Sequence, residues 1–85
     1  MDFLQAFDAL PQGAFDGWAD DRKYNVVKSR HSGGRSEKLF AREAGGRDHV
    51  SLNLYRLSDG SVRLFPCEMP REKVVRFVLD LKVGA

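Results

Sequence analysis

The run His49-Val50-Ser51-Leu52-Asn53-Leu54-Tyr55-Arg56-Leu57, then Ser58-Asp59-Gly60, then Ser61-Val62-Arg63-Leu64-Phe65-Pro66 alternates apolar and polar side chains on both sides of an Asp-Gly turn signal. Alternation at period two around such a turn specifies a β-hairpin with one buried and one exposed face. Upstream, Gly33-Gly34 and Gly45-Gly46 repeat the punctuation, and the three glycine turns stand 12 and then 14 residues apart. Those spacings suit strands near 23–31, 36–43, 49–57 and 61–66, a four-stranded antiparallel β-meander. Successive side chains in a strand point to opposite faces. One face therefore collects Leu39, Ala41, Val50, Leu52, Leu54, Val62 and Leu64, which is a core face in need of a cover.

The segment after the hairpin supplies that cover. Pro70 suits a first helical position, Glu72 lies near the positive end of the helix, Lys82 near the negative end, and Gly84 can terminate it. Val74, Phe77, Val78 and Leu81 then form the buried stripe. At the other end of the chain Asp2 and Gln5 are spaced as a capping box, Phe3, Phe7 and Leu10 recur at helical intervals, and Pro11 stops the helix. So short a helix must dock its apolar stripe to persist. Residues 12–22 are glycine-broken and acidic and read as a loop, with a short edge strand at 14–18 as the alternative. The expected fold class is α+β: a short N-terminal helix, the four-stranded meander, and a C-terminal helix packed on one sheet face.

Eighty-five residues with 42% apolar and 31% charged composition accommodate one domain, 1–85, and one modest core. No apolar run approaches the roughly 18 residues of a membrane-spanning helix. Met1-Asp2-Phe3 carries an acid where a signal peptide carries Lys or Arg, and Cys67 is the single cysteine, so a reducing, cytoplasmic setting is expected. The net charge of +2 conceals a partition. Residues 1–21 hold five aspartates and no Lys or Arg, an acidic aromatic leader; residues 22–85 hold all 14 basic residues and the other 7 acids, a basic sheet-and-helix region.

The second face of the strands carries the chemical signal. By parity it presents Lys38, Phe40 and Arg42, then Ser51, Asn53 and Tyr55, then Arg63 and Phe65. Rings interleaved with cationic and amide groups suit single-stranded nucleic acid, since bases stack on the rings while Lys and Arg neutralise phosphates. The first hairpin adds Lys28, Arg30 and Arg35 around a glycine turn whose backbone N–H groups can also meet an anion. Two other uses fit the same residues. Phe40, Tyr55, Phe65 and Leu57 can pack under the N-terminal helix, in a homodimer or against a protein partner, and hairpin charges also deter strand pairing at an edge. The leader, finally, has the charge to lie across the basic face and compete with external polyanions.

Gly46-Arg47-Asp48-His49-Val50-Ser51-Leu52-Asn53-Leu54-Tyr55 followed by Asp59-Gly60 resembles the central strands of the transcriptional-coactivator, Whirly and PUR-type single-stranded nucleic-acid-binding group, and the order of strands then helix is similar over roughly residues 23–82. The resemblance implies a curved sheet that binds nucleic acid, commonly as a dimer, and points to Arg35, Lys38, Arg47 and Tyr55. Phe65-Pro66-Cys67-Glu68-Met69-Pro70 stands where the coactivators have a basic, glycine-containing approach to their last strand.

Enzymatic chemistry has little to build on. Cys67 precedes a helix start but no base is placed beside it by spacing, and His31 and His49 belong to no metal-ligand pattern. The glycine pairs open no helix, as phosphate loops must. The expectation is a non-enzymatic binding module with no cofactor and no metal, whose nucleic-acid contacts are Lys28, Arg30, Arg35, Lys38, Phe40, Arg42, Arg47, Tyr55, Arg63 and Phe65.

Overall fold

A computed structural model of the protein describes residues 2–84. Helix α1 (Phe3–Ala9) opens on the capping box that Asp2 and Gln5 spell: Asp2 Oδ1 accepts the Gln5 N–H at 2.8 Å and Gln5 Oε1 accepts the Asp2 N–H at 3.0 Å. Leu10 is already extended ahead of Pro11. Strands β1 (Gly13–Ala19), β2 (Arg22–His31), β3 (Ser36–Glu43), β4 (His49–Arg56) and β5 (Val62–Pro66) follow, then helix α2 (Arg71–Asp80) and strand β6 (Lys82–Val83). They form one antiparallel sheet in the order β5-β4-β3-β2-β1-β6.

The sheet thus has six strands where the turn spacing predicts four. Gly13–Ala19, read as a loop with an edge strand at 14–18 as the alternative, is a strand that pairs with β2 along its whole length, from Gly13 opposite Lys28 to Ala19 opposite Arg22. Its hairpin turn is Asp20-Asp21, with φ of 52° and 60°. Two consecutive left-handed residues make the tight turn that matches strand twist, a role in which Asn-Gly is the familiar signal and Asp-Asp is easily missed. Replacing Asp20-Asp21 by Asn-Gly is expected to raise stability by about 1 kcal/mol, because glycine adopts positive φ without the Cβ clash. A urea midpoint that stays put or falls would contradict this.

The second addition is β6. Helix α2 ends at Asp80, two residues before Lys82, and the chain turns extended at Leu81 to lay Lys82 beside Trp18 and Val83 beside Gly17. A Cβ on Gly17 would lie 2.7 Å from Leu81 Cδ1 and 3.1 Å from the Lys82 carbonyl oxygen, so glycine permits this approach.

Both helices lie on one face of the sheet. Ala6, Phe7 and Leu10 of the N-terminal segment and Val74, Phe77 and Val78 of α2 are buried in one cluster with Tyr24, Val26, Leu39, Ala41, Val50, Leu52, Leu54 and Leu64. The predicted core face is therefore the observed one, except that Val62 sits on edge strand β5 and is 38% exposed. The N-terminal helix caps the core alongside α2, so neither the reading in which it covers the opposite face nor the one in which the leader lies across that face describes this molecule.

Lys28 and Glu37 stand on the core face, each 2% exposed. Lys28 Nζ donates to the carbonyls of Phe7 at 2.6 Å and Leu10 at 3.1 Å, lies 4.4 Å from the Phe7 ring centroid, and is 4.0 Å from Glu37 Oε1. It fastens the end of α1 to the sheet. Glu37 also accepts from Gln12 at 3.0 Å and from Arg56 at 2.8 Å, and Arg56 reaches on to Asp8 at 2.5 Å. Burial lowers the Lys28 pKa against the pull of Glu37. Burial alone would push the Glu37 carboxyl up, but Arg56, Gln12 and Lys28 hold it below its ordinary value.

Candidate nucleic-acid interface

The face away from the helices is built by strand register. From β1 to β4, Asp16, Asn25, Arg42 and His49 form one cross-strand row, and Ala14, Val27, Phe40 and Ser51 the next. Ser29, Lys38, Asn53 and Phe65 follow, then His31, Ser36, Tyr55 and Arg63. At the far end Lys23, Trp18 and Lys82 stand side by side on β2, β1 and β6. Side chains in such rows are about 5 Å apart, close enough to act together on one ligand.

Charge is distributed unequally between the two faces. Towards the helices and at the sheet end three acids are paired, Glu37 as above, Glu43 by Arg22 at 3.8 Å and Asp48 by Lys73 at 2.6 Å, while Asp20, Asp21, Glu72 and Asp80 join no ion pair among the described residues. The Lys73 hydrogen bond holds the Asp48 carboxyl down against burial, with help from Tyr24. On the open face Asp16 is the one strand carboxylate, 3.6 Å from Lys23 and bonded by Asn25 at 2.9 Å. Lys38, Arg42 and Arg63 have no ion-pair partner among the described residues.

Aromatic groups stand among these cations. Tyr55 and Phe65 meet edge to face at 5.5 Å, and Phe65 is 51% exposed. Phe40 stacks on His49 at 6.3 Å with the Arg42 guanidinium 6.0 Å from its centroid. Gly46 and Arg47 of the β3–β4 turn join them around a shallow recess of about 340 Å³. Trp18 is 43% exposed, with Lys23 Nζ 5.7 Å from its ring. A Cβ on Gly84 would strike that indole at 2.5 Å, so the ring rests against the backbone there. Rings at an open face can stack on planar groups while the cations among them neutralise phosphates.

The residues singled out by sequence therefore divide. Lys38, Phe40, Arg42, Tyr55, Arg63 and Phe65 share the open face, and Arg47 borders it in the β3–β4 turn. Arg35 is exposed at the β2–β3 turn, where its carbonyl accepts from Arg56 N–H at 2.7 Å. Lys28 is a correction: it is buried beneath α1 because it alternates in register with Tyr24 and Val26. Arg30 has the same parity and leans to the helix side, 3.7 Å from Glu37. Sequence reasoning missed Trp18, Val27 and Lys82 on this face. The available signal was the alternation of Phe15, Gly17 and Ala19 with Asp16 and Trp18.

Cys67 also lies by this face, its N–H donating to the Ser51 carbonyl at 3.0 Å and its sulfur 3.5 Å from Asn53 Nδ2. On the helix side a cleft of about 400 Å³ contains Tyr24, Asp48 and Lys73, whose polar groups satisfy one another. Among the described residues no cluster of His, Cys, Asp and Glu could hold a metal ion, and no helix is long and apolar enough to cross a membrane. Comparison with family models, curated proteins and solved structures finds no match.

Proposed function

We propose that the protein is a small binding module for single-stranded nucleic acid and that the open sheet face is its interface. The observation that carries the reading is the charge balance of the uncovered face: its strands present one carboxylate, Asp16, whereas Lys38, Arg42 and Arg63 stand without ion-pair partners among Phe40, Tyr55 and Phe65. Cations without protein partners suit phosphates, and rings held upright on a sheet suit bases, whose faces all stack. Homodimerisation through the same face would bring two copies of this cationic surface together, a juxtaposition of like charges that such an interface must offset.

Fluorescence anisotropy of a labelled oligothymidylate tests the reading. Micromolar protein is expected to bind it, with affinity falling steeply as salt rises. Tyr55→Ala should weaken binding roughly tenfold, the effect of losing one stacked base. Leu52→Ala, a buried change on the other face, should act on stability and leave the affinity of the folded fraction unaltered. Absence of salt-dependent binding, or a stable dimer by light scattering in which Tyr55 and Phe65 are protected, would displace the proposal.

A further inference from the structure

We infer that a bound strand runs diagonally over the sheet from Phe65 on β5, through Phe40 on β3, to Trp18 on β1, and that this path is about five nucleotides long. The inference rests on the reading of the open face as a nucleic-acid interface and adds its direction, its length and a terminus that includes Trp18, Lys23 and Lys82.

Register sets the line. Phe65 lies in the row of Asn53 and Lys38, Phe40 one row on, and Trp18 two rows beyond that, with one strand intervening between each ring and the next. From strand spacing and residue rise the diagonal measures roughly 25–30 Å. An extended single strand fills it with about five nucleotides, near the lower end of the range for sheet-borne sites. Cations flank the line throughout: Lys38 and Arg42 on either side of Phe40 along β3, and Lys23 and Lys82 on either side of Trp18 across the sheet. Duplex is a poor occupant, because its bases are stacked on one another and leave the three rings without partners.

The path also has a reason to stop. Past Trp18 the surface turns acidic: Asp20, Asp21 and Asp80 gather with Trp18 and Lys82 around a shallow recess. Carboxylates there repel the next phosphate, so the acidic turn acts as a boundary. Along the path itself Asp16 competes for Lys23.

Trp18 is the single tryptophan of the chain, so its emission reports on one end of the path. End-labelled oligothymidylates of two to twelve residues are titrated with the intact protein while anisotropy reports binding and tryptophan emission reports stacking. Affinity is expected to climb to about five nucleotides and then level apart from the small statistical gain of longer strands. Saturating five-nucleotide or longer strands should quench Trp18. Trp18→Ala should weaken the five-nucleotide strand roughly tenfold and Trp18→Phe should restore most of the loss, which separates stacking from misfolding. Binding by anisotropy with unchanged Trp18 emission, or affinity rising in large steps past eight nucleotides, overturns the diagonal while leaving the interface standing. No anisotropy change at any length overturns the interface itself.

Discussion

Glu37→Ala is expected to cost about 3–5 kcal/mol, because it leaves the Lys28 ammonium buried without its counter-charge. That is a large share of the roughly 4–13 kcal/mol typical of a chain this long. Glu37 is only 2% exposed, so little water can enter to replace the carboxylate. Lys28 cannot simply withdraw, since its ammonium holds the carbonyls of Phe7 and Leu10 and through them the end of α1. Urea denaturation measures the loss. The double variant Lys28→Met, Glu37→Leu should be milder than Glu37→Ala alone, because both charges leave together. A double variant as unstable as the single one would show that the charge pair is not the source of the cost.

The same network sets the pH range of the fold. Glu37 and Asp48 titrate below their ordinary values in the folded chain, so the folded state binds fewer protons in acid than the unfolded one. Their contribution is complete above about pH 4.5 and is lost as pH falls through the folded values. Tyr24 runs the other way: burial first, then its hydrogen bond to Asp48, pushes the phenol up to about 12. Its stabilisation is complete below about pH 10 and disappears as pH rises towards the folded value. Lys28, lowered by burial, opposes that alkaline loss. Thermal melts across pH should show the acid limb shrink in Asp48→Asn and the Tyr24 part of the alkaline limb vanish in Tyr24→Phe.

Reversing both central cations of the open face, Lys38→Glu with Arg42→Glu, is expected to weaken oligonucleotide binding at least a hundredfold. Each phosphate contact removed should flatten the log-log salt dependence by about 0.7, and the new carboxylates add repulsion. Both side chains are exposed and neither joins an ion pair, so stability should stay within about 0.5 kcal/mol. Parallel anisotropy and urea measurements separate the two effects. An affinity within twofold of the unaltered protein would remove the open face from consideration.

Much of the fold was legible because local chemistry and tertiary packing agree. Leu39, Ala41, Val50, Leu52, Leu54 and Leu64 alternate cleanly, and the capping box and Pro11 bracket α1 without outside help. Strand β1 was legible only as an alternative, because Gly13, Asp16 and Gly17 have low strand propensity; pairing with β2 on one side and β6 on the other overrides it. Lys28 misled for a different reason. Charge argues for water, while parity places it with Val26, and only the packing of α1 over it decides between the two. Of the candidate interface, the β3 to β5 portion followed from alternation. The Trp18 end depended on recognising β1.

The strand order also bears on how the chain assembles. From β1 to β5 each strand pairs with its neighbour in sequence, which keeps loop closures short and lets hairpins form early. The exception is β6, which returns across the length of the chain to Gly17 and Trp18, just after α2 has come down beside α1. Until α2 docks, part of the face that carries Leu39, Leu52 and Leu54 is uncovered, a species prone to self-association. A chain shortened before Val74 is therefore expected to be insoluble rather than merely weakened, which the soluble fraction on expression would show.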